Sequence, residues 1–173
     1  MSIHDHTHLI RVVPDFPRQG IQFKDITPLL QHGPALRATI DDLLAQTKDL
    51  GVEVVLGIES RGFLFAAPMA YATGAGLVIV RKPGKLPWRS VQVEYALEYG
   101  TDRIEMHADA IRPGQRVLIV DDVLATGGTA KAAAELVQSV GGVVAGYAFV
   151  IELDFLAGRQ RLPAAPVCSL LHD

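Results

Sequence analysis

The sequence predicts an α/β domain built on a parallel sheet flanked by helices. Short apolar runs at Val52–Ile58, Leu77–Val80, Val117–Val120, Val143–Ile151 and Val167–Leu171 read as strands, and the β-branched run Val117–Val120 suits one buried on both faces. Segments of helical spacing follow the runs that end near positions 58 and 122, and this β-α-β alternation implies parallel strands joined by right-handed crossovers. A chain of 173 residues suits a single domain with one core.

His4, His6 and His8 alternate at the start of the chain. Their spacing would allow a metal site, but a terminus is ordinarily solvated, and that is the expectation here. Pro14, Pro17 and Pro28, with Gly20, predict an irregular path that packs Phe16 against Phe23. This stretch, to about residue 33, is expected to form a small hood with the last segment of the chain. Pro34–Asp49 reads as a helix with Leu36, Ile40, Leu43 and Leu44 as its apolar stripe, ended by Gly51.

The strand Val52–Ile58 delivers Glu59-Ser60-Arg61-Gly62 at its carboxyl end, before a small-residue helix at Phe63–Thr73. Ligands of open α/β sheets sit beyond the carboxyl ends of the strands, so this loop is a binding candidate. Leu77–Val80 runs into a loop carrying Arg81, Lys82, Lys85 and Arg89, a cation-rich stretch in a slightly acidic chain. Arginine meets phosphate with a fork of donors and lysine with a point charge, so the loop reads as a pyrophosphate clamp. Ser90–Gly100 mixes Glu94, Tyr95, Glu98 and Tyr99, and Ile104–His107 is its returning strand. The pattern predicts a flexible flap at about residues 82–107.

Val117–Thr129 reads V-L-I-V-D-D-V-L-A-T-G-G-T and leads into an amphipathic helix at Ala130–Val140. A strand, a glycine turn and a helix start make an anion site, because the first helical N–H groups have no internal partners. Gly127 and Gly128 let the backbone curl and approach a ligand, while Thr126 and Thr129 add hydroxyl donors. The lysine of a Walker A loop and the G-x-G-x-x-G spacing are both missing. Asp121 and Asp122 would repel a bare polyphosphate but accept the protons of vicinal hydroxyls. The ligand that suits both halves carries a phosphate at one end and hydroxyls, or a bound cation, beside it, as ribose 5-phosphate does.

The balance of 16 basic and 19 acidic residues gives a net charge of −3 and no support for nucleic-acid binding. Cys168 is the only cysteine, so no internal disulfide forms, which fits a reducing, cytoplasmic setting. No membrane span or signal-type apolar region is expected.

On Pro14–Phe16, Phe23–Pro28, Glu59–Phe63, Arg81–Pro87, Leu97–Gly100 and Val120–Thr129, with Gly158-Arg159 as a weaker match, the chain resembles the type I phosphoribosyltransferases along nearly its whole length. The runs R-K-P-G-K-L-P and Y-A-L-E-Y-G narrow the resemblance to the members that act on adenine. It implies the type I phosphoribosyltransferase fold, and a reaction in purine salvage: adenine and phosphoribosyl pyrophosphate give AMP and pyrophosphate. It also implies Mg²⁺ carried mainly by the substrate diphosphate, and a homodimer.

Residue by residue, the resemblance implies that Ala125, Thr126, Gly127, Gly128 and Thr129 hold the 5′-phosphate. Asp121 and Asp122 would hold the ribose hydroxyls. Glu59, Ser60 and Arg61 would line the diphosphate site, in a loop that often holds a non-proline cis peptide. Arg81 and Lys85 would add charge there, with Arg81 reaching the neighbouring subunit. Phe23 and Lys24 would offer backbone groups to the adenine edge. Glu98 would reach the N7 side of the purine with Tyr99 beside it, so that Glu98 and Arg61 are the catalytic candidates. Gln22 and Glu94 depart from the pattern, at positions where an apolar residue and a serine are usual. A regulatory phosphoribosyl-pyrophosphate sensor is the reading from another class. It would call for a basic surface and a degraded flap motif, unlike this chain. Among enzymes, a preference for xanthine or for hypoxanthine and guanine is the alternative.

Overall fold

The computed structural model describes residues 2–96 and 100–173. The chain divides into two compact units, Met1–Asp42 and Leu43–Asp173.

In the first unit, a 3₁₀ helix at Ile3–Leu9 is capped by Ser2, whose hydroxyl accepts from the chain while Asp5 reaches back to the Ser2 N–H. The Asp42 carboxylate accepts from the Ser2 hydroxyl and the Ile3 N–H, both at 2.8 Å. Ile3 and His6 are buried, and the His6 ring lies 5.3 Å from that of His32. The expectation of a solvated terminus is therefore corrected for this segment: a cap, a charged anchor and an apolar residue tie it down. His4 and His8 stay exposed.

Strands β1 (Arg11–Pro14) and β2 (Gln22–Asp25) pair antiparallel, around a turn with a cis Phe16–Pro17 bond. Phe16 and Phe23 meet edge to face at 5.1 Å, as expected. The ladder itself was not anticipated. It forms because Pro14 stands at a strand end, where its missing N–H does no harm. A short helix α1 (Thr27–Gln31) begins with Pro28 in its first turn, and α2 (Gly33–Thr47) follows.

The second unit runs β3 (Val54–Ile58), α3 (Gly62–Thr73), β4 (Gly76–Val80), β5 (Ser90–Ala96), β6 (Thr101–His107), β7 (Arg116–Leu124), α4 (Gly128–Ser139), β8 (Val143–Glu152) and β9 (Val167–His172). Five strands form a parallel sheet in the order β4-β3-β7-β8-β9. β3 and the first part of β7 are buried, as a sheet covered on both faces demands. Val54, Leu56, Ile58, Val117, Ile119, Tyr147 and Phe149 from the sheet share one core cluster with Ala130, Ala133, Leu136 and Val137 of α4.

β7 outruns the expected strand. It continues through Asp121 and Asp122, because Asp121, Val123 and Leu124 keep pairing with Phe149, Ile151 and Glu152 of β8. The two carboxylates thus ride on a strand rather than in a turn. β5 and β6 form the antiparallel hairpin expected of the flap, in register from Ser90↔His107 to Ala96↔Thr101. β8 and β9 are linked not by an α-helix but by two 3₁₀ turns, Asp154–Leu156 and Gly158–Arg161. Among the described residues, no helix is long and apolar enough to cross a membrane.

The strand order places the site. From β3 the chain crosses to β4 on one side, while β7 lies on the other. The reversal leaves a crevice beyond the carboxyl ends of β3 and β7, where ligands of such sheets bind.

Candidate active site

Two loops meet at that crevice. The β3–α3 loop contains Glu59, Ser60 and Arg61, with a cis Glu59–Ser60 bond. Gly62 then opens α3 so close to β7 that an added Cβ would lie 2.6 Å from the Val120 carbonyl oxygen and 3.1 Å from Asp121 Oδ1. Only a hydrogen fits there, and the contact brings the first loop against the second. The Arg61 guanidinium makes a close ion pair with the Asp122 carboxylate, which is buried. Asp121 lies beside it, and its oxygen accepts the Asp122 N–H at 2.9 Å. Burial first, and the neighbouring Asp122 charge second, push the Asp121 carboxyl well above the ordinary carboxylate range.

Past Asp121 the chain turns through Ala125, Thr126 and Gly127 into α4. These residues, with Val123, Leu124, Gly128, Thr129 and Ala130, line a cavity of about 80 Å³ at the helix start. Gly127 is the N-cap of α4 with φ 81°, and a Cβ on it would lie 2.4 Å from the Gly158 carbonyl oxygen. Gly128 has no such demand: its Cβ would meet only Tyr95, Ala96 and Thr126 at 3.5–3.8 Å. The expectation from sequence is that both glycines curl the turn and that Gly128 in particular excludes a β-branched residue, and this is corrected. In the structure the left-handed backbone and the close approach both fall on Gly127.

The cationic loop folds back onto Glu59. That carboxylate accepts from Arg81 Nε at 3.3 Å and Nη2 at 3.2 Å, from the Lys82 N–H at 2.9 Å, and from Lys85 Nζ at 2.6 Å. Burial alone would raise its pKa, but the bonds from Lys85, Lys82 and Arg81 outweigh it and carry it down to about 2. Arg81 and Lys85 are thus gathered around a carboxylate of their own chain.

Several partners escaped sequence reasoning. Glu105 of β6 is buried and accepts from the Gly84 N–H, the Leu86 N–H, the Ser90 hydroxyl and the Gln92 amide at 3.1–3.2 Å, pinning the cationic loop to the base of the hairpin. Alternation along β6 gives no signal for it, since it sets Glu105 on the face opposite Ile104 and Met106, with Arg103 and His107. The Tyr95 hydroxyl accepts from Thr129 at 3.2 Å and donates to Asp102 at 3.1 Å, and Asp102 is ion-paired with Lys82. The hairpin therefore rests on the start of α4. Phe23 and Lys24 stand on β2 in the first unit. Glu98 and Tyr99 lie outside the described residues.

A strand carrying paired carboxylates, a glycine turn opening a helix, and a cation cluster at one switch point match a known family. The model of the phosphoribosyl transferase domain covers residues 25–163. The chain is 60% identical to the adenine phosphoribosyltransferase of Solibacter usitatus over 168 residues, 97% of each chain. The chain belongs to the type I phosphoribosyltransferases, in the adenine phosphoribosyltransferase family. Among solved structures, the adenine phosphoribosyltransferase of Rhodothermus marinus shares the fold at a TM-score of 0.94 and 54% identity, over 99% of this chain and 98% of that one. The Saccharomyces cerevisiae enzyme, crystallised with adenine and an imino-altritol bisphosphate, gives a TM-score of 0.91 and 41% identity over 97% of each.

Two outcomes follow from this geometry. Gly127→Val should weaken ribose 5-phosphate binding by roughly 100-fold, since displacing a positioned loop by about an ångström has effects of that order. Gly128→Ala should leave it close to wild type, and calorimetric titration of both variants decides whether the demand sits on Gly127. For Glu59, a folded pKa of about 2 against an ordinary value of 4.5 means a stabilising contribution that is complete above pH 4.5. It declines as pH falls below 4.5 and is gone below about 2. Denaturant midpoints across that window should fall more steeply for wild type than for Glu59→Gln. Parallel curves would show that Glu59 is not held by the cationic loop.

Proposed function

We propose that the crevice at the β3–β7 switch point carries out the reaction of the adenine phosphoribosyltransferase family, in which adenine and phosphoribosyl pyrophosphate give AMP and pyrophosphate. The observation that carries the site assignment is the succession Asp121, Asp122, glycine turn and α4 N-terminus along one strand and its loop. The N–H groups at the start of α4, with the Thr126 and Thr129 hydroxyls, take the 5′-phosphate. Asp121 and Asp122 take the ribose hydroxyls, with Arg61 oriented by Asp122. Glu59, Ser60, Arg61 and the cations Arg81 and Lys85 face the diphosphate, which must leave.

The reaction forms the C1′–N9 bond as the bond from C1′ to the diphosphate oxygen breaks. Positive charge develops on the sugar, so the protein acts by positioning and by electrostatic complementarity. Glu98 accepts the proton carried at N7 of the purine, leaving the N9 lone pair to attack, and Tyr99 serves in substrate binding. A carboxylate there becomes more stabilising as the purine gains positive charge. The donor set suits Mg²⁺ borne by the ligand: Glu59 and Asp122 are already engaged by cations, and among the described residues Asp121 is the remaining crevice carboxyl. When bound, the ion neutralises charge on the diphosphate.

The assembly is a homodimer. Leu64 and Tyr71 of α3, and Leu77 and Ile79 of the edge strand β4, are large apolar side chains left exposed, Tyr71 at 91%. Their burial against a second copy accounts for them. It also sets the Arg81 loop, which follows β4, near a neighbouring site. Sedimentation should give a dimer, and Tyr71→Asp with Ile79→Asp should shift it to monomer. A wild-type monomer with full activity would refute this arrangement. The setting is cytoplasmic, in keeping with the single reduced thiol of Cys168.

Pyrophosphate release with Mg²⁺ and each base in turn tests the substrate, with adenine expected to be turned over far faster than hypoxanthine, guanine or xanthine. In the same assay Glu98→Gln should slow the chemical step by about 10²–10⁴-fold, with little change in phosphoribosyl pyrophosphate affinity. Single-turnover rates equal to wild type would remove Glu98 from the mechanism.

A further inference from the structure

The connection between β8 and β9 does more than return the chain. Its second 3₁₀ turn, Gly158–Arg161, presses against the phosphate loop backbone to backbone. A Cβ on Gly158 would lie 2.1 Å from the Ala125 carbonyl oxygen and 2.9 Å from the Gly127 nitrogen. In the reciprocal approach, a Cβ on Gly127 would lie 2.4 Å from the Gly158 carbonyl oxygen. Two glycines therefore face each other where no side chain fits, and the place of the turn dictates the place of the loop.

The turn is itself held by one side chain. Arg159 donates from Nε to Glu152 Oε1 at 3.0 Å, from Nη2 to Glu152 Oε2 at 2.5 Å, and from Nη1 to the Val167 carbonyl at 3.0 Å. Glu152 ends β8 and is buried, and the Ser169 hydroxyl of β9 donates to its Oε2 at 2.6 Å. The guanidinium fork thus joins the carboxyl end of β8 to the start of β9, with the turn fixed between them. None of these groups lines the cavity at the start of α4.

From this geometry we infer that Arg159, through its ion pair with Glu152, is a positioning residue for the phosphate loop. It sets the loop through Gly158 and so tunes binding of the 5′-phosphate end of the substrate without touching it. The inference rests on the assignment of Ala125–Thr129 as the phosphate cradle. It is specific in direction: the diphosphate end, around Glu59, Arg81 and Lys85, does not depend on this turn.

The test is a pair of calorimetric titrations on the full chain, one with ribose 5-phosphate and one with pyrophosphate and Mg²⁺. Arg159→Met should weaken ribose 5-phosphate binding by roughly tenfold to 100-fold, the scale of a loop displaced from its working position, and leave pyrophosphate within about twofold. In steady-state assays KM for phosphoribosyl pyrophosphate should rise while KM for adenine holds. Arg159→Lys keeps the charge but loses the fork, so it should fall between wild type and Arg159→Met. Ser169→Ala, which removes one support of Glu152, should show a smaller loss of the same sign. If Arg159→Met lacks a cooperative thermal transition, Arg159→Lys and Ser169→Ala carry the same two titrations.

Unchanged ribose 5-phosphate affinity in a folded variant, or equal loss at both ends, would overturn the inference. Gly127→Val separates it from the cradle assignment. If that variant also keeps ribose 5-phosphate affinity, the cradle itself is misplaced. If it loses affinity while the Arg159 variants do not, the cradle stands and only the clamp fails.

Discussion

At the end of β7 an extended strand must become the first turn of a helix within Ala125–Gly127, and the rest of the site depends on how that is done. A left-handed residue is required at the N-cap, and Gly127 supplies it. The turn leaves the first N–H groups of α4 without helical partners, facing the space beyond the strand. Because β7 continues through Asp121 and Asp122 before turning, the carboxylates stand directly upstream of those donors. One short path thus places anion donors beside hydroxyl acceptors, which is what a phosphorylated sugar needs.

The charges around this path are balanced locally. Asp122 is matched by Arg61 from the β3–α3 loop, and Glu59 by Arg81 and Lys85 from the loop after β4. A carboxylate held by four donors from three residues near an open crevice keeps the cations from dispersing into solvent, at the expense of competing for them. Glu105 does for the backbone of the same loop what Glu59 does for its side chains. The cationic loop is therefore preorganised at both ends, and less reorganisation is left for the moment a diphosphate arrives.

How much of this was legible in the sequence follows from the range of each interaction. β3, β7 and β8 could be read because burial on both faces imprints continuous apolar runs, such as Val117–Val120, and the edge strand β4 carries the same kind of run although Leu77 and Ile79 stay exposed. The strand, glycine turn and helix start around Gly127 could be read because these parts are contiguous. The capped 3₁₀ helix at Ile3–Leu9 could not, since it rests on single polar contacts such as that of Ser2 with Asp42, which leave no periodicity, and the β1–β2 ladder could not, since its strands are four residues long and never fully buried. The unequal demands on Gly127 and Gly128 come from Gly158, some thirty residues further along the chain. Arg159 and Glu152 likewise look like ordinary surface charges until β8 and β9 are set side by side.

The central claim is that the helix start after β7 receives the 5′-phosphate and the paired aspartates receive the ribose. A crystal structure with AMP and pyrophosphate bound tests it most directly. The phosphate of AMP should lie on the N–H groups of residues 126–129 with the ribose hydroxyls against Asp121 and Asp122, and pyrophosphate should lie beside Arg61. A nucleotide phosphate bound away from the start of α4, or a ribose that avoids both carboxylates, would contradict it.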